Sequence, residues 1–426
     1  MEKLAYLAGR QWISQQKNFS ITKGLTTIKA ISNQRCNRCG TTVKERLPNG
    51  KTYCRACIGL GRVTEDDFLV RDESEVFFQK KKDILKWRGQ LTPAQKQVSI
   101  KLVENFKKRR ATLVHAVTGA GKTEMLFAVI SECLSLGQRC CIASPRIDVI
   151  NELYPRIQEA FQGLKIGKYH GREFKEPELE QLTLCTTHQL LKFYHAFDLL
   201  IIDEADSFPY IDNSQLHFGA KNAIKTNGIR IYLTATPTRD ILQEVEAGKI
   251  RVLKLNRRFH GGLLPIPREK LFLRPFLNKG HLHPKLIKEI IGVIESQHPL
   301  LLFVPRIEQI SLYLSALKKV PELHQINIEG VYAADKKRLS KVQQFREGKI
   351  QLLVTTTILE RGVTFKHVWV IIVQADDAIF TTSSLIQIAG RVGRAQDDVG
   401  GLVLFCYQKY TRSIQSAVKQ IKELNK

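Results

Sequence analysis

Acidic side chains are scarce in this sequence: 41 Asp and Glu stand against 66 Lys and Arg, which leaves a formal charge of +25 over 426 residues. So large a deficit of negative charge implies a polyanionic partner. Long apolar runs are missing as well. No stretch approaches the ~20 residues that cross a bilayer, which excludes an integral helical membrane protein. The start, Met1-Glu2-Lys3-Leu4-Ala5-Tyr6-Leu7, has no sustained apolar centre of a secretory signal, so the expected location is the cytoplasm. No basic amphipathic helix stands out, which favours nucleic acid over a membrane surface as the polyanion.

What is present is enough for more than one core. At about 150 residues per domain the length implies two or three domains, and a hydrophobic content of 43% is that of a globular chain. The positive charge is uneven, because residues 1–62 hold twelve Lys and Arg against only Glu2 and Glu45. Within that basic region lie Cys36-x2-Cys39 and Cys54-x2-Cys57. Two CxxC knuckles bring two thiolates each to one point, the arrangement of a four-thiolate Zn²⁺ site. Gly40 supplies the permissive backbone that a knuckle needs, and Pro48-Asn49-Gly50 reads as a hairpin tip between the pairs. A redox CxxC is the competing reading, but it calls for one motif near a βαβ unit rather than two around a hairpin. The other five, Cys133, Cys140, Cys141, Cys185 and Cys406, sit in apolar segments and read as core thiols.

The strongest chemical signal is Ala116-Val117-Thr118-Gly119-Ala120-Gly121-Lys122-Thr123-Glu124, between an apolar strand-like run and a helix-like one. A strand, a Gly-rich turn and a helix start aim backbone N–H groups and the positive helix end at one place, as a polyphosphate requires. Lys122 then reaches the β- and γ-phosphates of ATP, and the Thr123 hydroxyl ligates Mg²⁺. The first glycine of the usual pattern is Ala116 here. Leu199–Asp203 is an apolar run that delivers Asp203 and Glu204 at its end, suited to holding Mg²⁺ and to deprotonating the attacking water. Thr234-Ala235-Thr236-Pro237 ends a further strand, its hydroxyls either linking nucleotide state to the domain interface or capping a helix. Gln387, Arg391 and Arg394 follow at spacings of four and three, one face of a helix, and the two guanidinium groups suit the charge of a transferring γ-phosphoryl group. A basic surface helix is the alternative. Gln95, at the start of a helix capped by Thr92, can read an adenine edge; alone it would be a surface glutamine.

Short apolar runs alternate with helical ones from Ala111 to about Leu255 and again from His281 to Lys426, predicting two doubly wound parallel sheets of α/β class. The expected organisation is a basic region with the cysteine module at 1–62, a charged connector at 63–89, domains at 90–255 and 281–426, and a linker at 256–280.

The ordered set resembles superfamily 2 helicases and translocases: Gln95, Gly119 to Glu124, Ala143 to Asp148, Thr186-Thr187-His188, Asp203 to Asp206, Thr234 to Pro237, Phe303 to Arg306, Val354 to Gly362 and Gln387 to Arg394. The resemblance covers residues 90–410 and implies two RecA-like domains with ATP in their cleft and one nucleic-acid strand across both. It further implies that Thr118, Ala120, Gly121 and Gly362 lie at the nucleotide, and that Pro145, Arg146, Thr187, Arg306, Thr355 and Thr356 face the strand's phosphates. Asp-Glu-Ala-Asp at 203–206 notwithstanding, Thr-Ala-Thr-Pro and Gln387 depart from the DEAD-box RNA helicases. In the PriA helicases the cysteines interrupt the second half, whereas here they precede the first. A four-cysteine N-terminal module on a minimal core, with Asp-Glu-Ala-Asp-Ser-Phe-Pro at 203–209, is similar to the ComFA late competence ATPases of Gram-positive bacteria. That resemblance implies import of single-stranded DNA during natural transformation, a ComFC partner, and a peripheral position by the DNA channel at the inner membrane face. The alternatives are a PriA-like replication-restart helicase, an RNA remodeller, and a zinc-dependent DNA-binding adaptor that uses ATP only as a clamp.

Overall fold

A computed structural model describes residues 7–16, 24–171, 178–259, 261–393 and 401–425. The chain divides into two compact units, one of residues 1–115 and 122–254, the other of 116–121 and 255–426.

The first unit is built on a seven-stranded sheet in the order Ile250–Leu255, Ala111–Ala116, Ile224–Thr234, Phe197–Asp203, Cys140–Ser144, Leu182–Thr186, Ile166–Tyr169. The ladders from Ala111–Ala116 through to Ile166–Tyr169 are all parallel. Strands such as Cys140–Ser144 and Leu182–Thr186 are buried along their whole length, as expected for the centre of a sheet covered on both faces. Ile166–Tyr169 was not among the expected strands; it is only four residues long and carries a glycine and a lysine.

A smaller antiparallel sheet of Gln11–Ser14, Phe68–Asp72 and Leu25–Lys29 precedes it, with Phe68–Asp72 in the middle. The segment read as a charged connector therefore supplies the central strand of the N-terminal sheet. Its alternation was obscured because Arg71 and Asp72 end the strand inside the fold, Arg71 stacked 3.9 Å over the Tyr194 ring. Nor is the cysteine module separate: Cys36, Cys39, Cys54 and Cys57 belong to one buried cluster with Leu190, Leu191, Leu216 and Ala220. Burying so few residues alone gives too little apolar area for stability, so sharing a core with the larger sheet is the physical solution.

The second unit is built on a six-stranded parallel sheet in the order Arg268–Leu271, Val403–Tyr407, Trp369–Ile372, Leu300–Phe303, Leu352–Thr355, Ile328–Val331, beside a short antiparallel hairpin of Leu277–Asn278 and His281–Leu282. The edge strand Arg268–Leu271 lies in the stretch expected to be a linker. Arg, Glu and Lys on an exposed edge strand hide its β character from a hydrophobicity reading while protecting the edge from pairing. Among the described residues no helix is long and apolar enough to cross a membrane.

Candidate nucleotide and metal sites

The strand Ala111–Ala116 runs into the phosphate loop and the helix Lys122–Ser135 follows. Gly119 and Gly121 adopt φ of +79° and +67°, the left-handed region that a side chain disfavours. With both turned this way, the loop curls over the helix start, and the charge of a bound polyphosphate is met by the helix dipole. Thr118, Ala120 and Thr123 are buried in the loop, and Lys122 is half-buried at the first helical position. The residue set fits ATP with Mg²⁺: a glycine cradle, one lysine, and Thr123 with Asp203 as the oxygen donors.

Asp203 closes the strand Phe197–Asp203, and Glu204 then takes φ of +55°, an unusual backbone for a side-chain-bearing residue. Asp203 Oδ1 accepts from the Glu204 N–H at 2.9 Å, an arrangement that steadies this turn. Ser207 Oγ donates to Glu204 Oε2 at 3.2 Å, and Arg146 Nε stands 4.0 Å from the same oxygen. Asp206 is buried and accepts from Thr236 Oγ1, while Thr234 Oγ1 accepts from the Thr236 N–H at 3.0 Å. The Thr236 hydroxyl thus ties this segment to the acidic loop, and the Thr234 hydroxyl braces the turn itself. The helix cap nearby is Thr238, which accepts from Ile241 N–H. His115 was not picked out from sequence. Its Nε2 lies 3.0 Å from Ala235 O, joining the strand that leads into the phosphate loop to the Thr-Ala-Thr-Pro turn, and burial holds its pKa below the usual value.

Gln95 is buried, and its Oε1 accepts from the Thr92 N–H at 2.9 Å while Thr92 Oγ1 accepts from the Gln95 N–H. This capping box fixes the Gln95 amide at the helix start through one of the two lone pairs of its oxygen.

In the second unit, Gln387 is buried on the helix Thr382–Ala389. The expectation that Arg391 shares that helix face is overturned. Gly390 caps the helix and Gly393 takes φ of +69°, so the chain leaves the helix before Arg391. Arg391 is itself buried and its Nε donates to Glu360 O at 2.9 Å. Glu360 also accepts from Ser384 Oγ, and Arg361 Nη2 donates to Ser383 Oγ at 3.1 Å. Glu360 and Arg361, just before Gly362 with φ of +71°, were missed from sequence because their partners lie more than twenty residues away. Arg394 lies outside the described residues.

Among the residues expected to face nucleic acid, Arg146 is half-buried and Arg306 exposed, whereas Pro145, Thr187, Thr355 and Thr356 are buried. Thr355 Oγ1 donates to Val331 O at 3.3 Å, knitting neighbouring strand ends. Thr187 begins the short helix Thr187–Lys192 with its hydroxyl enclosed in the core. Side-chain contact of these four with a phosphate backbone is therefore corrected, because their side chains are enclosed in the fold.

The four N-terminal cysteines converge. Their sulfurs all lie within 4.8 Å of one another, with Cys36 to Cys57 at 3.9 Å and Cys39 to Cys54 at 3.6 Å. A tetrahedron with Zn–S bonds of ~2.3 Å has edges of about 3.8 Å, so the donor set fits Zn²⁺. Hydrogen bonds among the sulfurs push the Cys36, Cys54 and Cys57 thiols up and the Cys39 thiol down, the response of thiols crowded around one point. Gly40 takes φ of +75°, and a Cβ there would meet the Phe218 ring at 2.6 Å. Gly50, with φ of +82°, turns the hairpin tip, where Leu47 N–H donates to Lys51 O. Gln215 Nε2 donates to Ala56 O at 3.0 Å, adding a polar tie between the knuckles and the helix Ser214–Ala223.

Comparison with known proteins agrees with this construction. Residues 88–239 match the family model described as type III restriction enzyme, res subunit, and residues 283–396 match the helicase conserved C-terminal domain. The solved structure of S. cerevisiae Dbp5 bound to RNA and ADP BeF3 shares the fold at a TM-score of 0.57, with 16% identity over 78% of this chain and 91% of that one. Competence protein ComFA of Bacillus subtilis is 39% identical over 92% of this chain and 85% of its own length. ComFA of Streptococcus pneumoniae is 45% identical over 92% of this chain and 90% of its own. The chain therefore belongs to the ComFA competence proteins, as a helicase-type ATP-hydrolysing enzyme of superfamily 2 with two RecA-like domains.

Proposed function

We propose that this protein is a single-stranded DNA translocase that drives transforming DNA into the cell during natural competence. ATP sits on the phosphate loop with Lys122 at its β- and γ-phosphates and Mg²⁺ on Thr123 and Asp203. Glu204 orients and deprotonates the attacking water, and Arg391 and Arg394 stabilise charge on the γ-phosphoryl group. Gln387 positions the same group, and Gly362 lies beside the nucleotide. Zn²⁺ on Cys36, Cys39, Cys54 and Cys57 is structural.

One observation carries the strand-binding half of this reading. In each unit an accessible arginine is the N-cap of the helix that follows a buried strand: Arg146 before Ile147–Ala160, Arg306 before Ile307–Leu317. Paired with the positive ends of those helices, each offers a phosphate both a guanidinium and backbone N–H groups. Alternating grip at the two positions moves the strand by its backbone, without reading bases. The work is done near the DNA channel at the inner membrane face, alongside ComFC.

The test is displacement of streptavidin from end-biotinylated single-stranded DNA, run beside a duplex-unwinding assay with the same enzyme and ATP. Displacement with weak or absent unwinding is expected. ATP binding without turnover or displacement would instead support the clamp, and greater stimulation by RNA would support a remodeller.

A further inference from the structure

Arg258 follows the last strand of the first sheet in a stretch rich in Gly, Pro and basic residues, where a surface position would be the ordinary expectation. It is instead 2% exposed. Its guanidinium donates to three backbone carbonyls: Nη1 to Val392 O and Gly393 O, both at 2.5 Å, and Nη2 to Gly390 O at 3.1 Å. All three belong to the turn that leaves the helix Thr382–Ala389 and carries Arg391. Carbonyls at a helix C-terminus have no intrahelical donors, and a cation there also meets the negative end of the helix dipole.

The same short segment is bound to residues 116–121 of the phosphate loop, which belong to the same compact unit. Val117 N–H donates to Leu255 O at 3.1 Å, and Phe259 N–H donates to Gly119 O at 3.0 Å. Residues 255–259 thus hold the phosphate loop through the backbone and the Arg391 turn through one side chain. Arg391 is anchored separately by its Nε to Glu360 O.

We propose that Arg258 is a positioning residue for ATP hydrolysis, a strut that sets the Gly390–Gly393 turn against the phosphate loop so that Arg391 is placed for the γ-phosphoryl group. It rests on the reading of Arg391 as the charge-stabilising residue. A planar guanidinium with several fixed donors can span three carbonyls, whereas an ammonium acts as a point donor, so lysine is a poor replacement.

The experiment measures steady-state ATP turnover of the full-length protein at saturating single-stranded DNA for the wild type, Arg258→Ala, Arg258→Lys, Arg391→Ala and the Arg258→Ala/Arg391→Ala double variant. Arg258→Ala is expected to lower kcat by about tenfold or more while KM for ATP stays within about twofold, since the binding loop is intact and only the transition-state partner is misplaced. Arg258→Lys, which keeps charge and bulk, recovers less than half of the loss. The double variant turns over no more slowly than Arg391→Ala, because both residues act as one unit. Multiplicative losses in the double variant, or an Arg258→Ala kcat within about twofold of wild type beside an impaired Arg391→Ala, overturn the strut alone. Wild-type turnover in Arg391→Ala overturns the reading of Arg391 and the strut with it. Should Arg258→Ala fail to fold, Arg258→Lys decides, and full turnover in it overturns the proposal.

Discussion

Arg38 Nε donates to Cys57 Sγ at 3.3 Å, and the two Nη atoms of the same guanidinium donate to the carbonyls of Cys57, Leu60 and Gly61. One buried arginine from the first knuckle therefore braces the second and offsets part of the negative charge that four thiolates leave around a divalent ion.

Removing that brace should loosen the metal. Arg38→Ala is expected to lower zinc affinity by about 10- to 100-fold, the usual effect of deleting a group that orients a ligand. Competition with a chromogenic chelator measures it. Arg38→Lys should lie between, since an ammonium keeps the charge but cannot reach all four acceptors.

Loss of zinc should spread beyond the cysteine hairpin. Cys36, Cys39, Cys54 and Cys57 share a buried cluster with Leu190, Leu191 and Leu216, so Cys36→Ser should lower the melting temperature of the first unit and not merely free a local loop. Hydrogen exchange reports the reach: faster exchange is expected in Thr187–Lys192 and Ser214–Ala223 as well as in residues 36–57. Protection unchanged in those two helices would show that the module is a mere appendage.

Acid should destabilise the first unit through two imidazoles. Burial holds the pKa values of His115 and His188 below the usual 6.5. The unfolded chain therefore binds more protons than the folded one between the folded and unfolded values, and stability falls as pH drops below about 6.5 before levelling at the folded value. Each pKa unit of depression accounts for about 1.4 kcal/mol. Urea titrations between pH 5 and 8 check this. His115→Gln, whose amide can still donate to Ala235 O, should flatten part of the profile.

Sequence alone disclosed the chemistry wherever the chemistry dictates residue type at short range. Gly119 and Gly121 are needed for left-handed backbone, and the cysteine pairs are needed at knuckle spacing, so both sites were legible. Partners distant in sequence were not. Arg10 reaches Glu180 at 3.5 Å, Gln11 Nε2 donates to Leu191 O, and Arg139 Nη1 donates to Ala8 O; these bonds fasten the N-terminal strand to the larger sheet, and no local pattern announces them. Phe68–Asp72 and Arg268–Leu271 were passed over because charged residues mask two strands. Arg391 was assigned to a helix face because a spacing of four says nothing of the glycine that ends the helix first. Thr187, Thr355 and Thr356 match a family pattern at the level of the chain, yet burial turns their side chains inward.

The central claim is that hydrolysis at the phosphate loop is driven by single-stranded DNA, and initial rates of phosphate release with and without such DNA, for the wild type and Lys122→Ala, test it most directly. Stimulation of about tenfold or more in the wild type and near-complete loss of turnover in Lys122→Ala are expected. A rate indifferent to DNA, or unchanged when Lys122 is removed, would contradict the account.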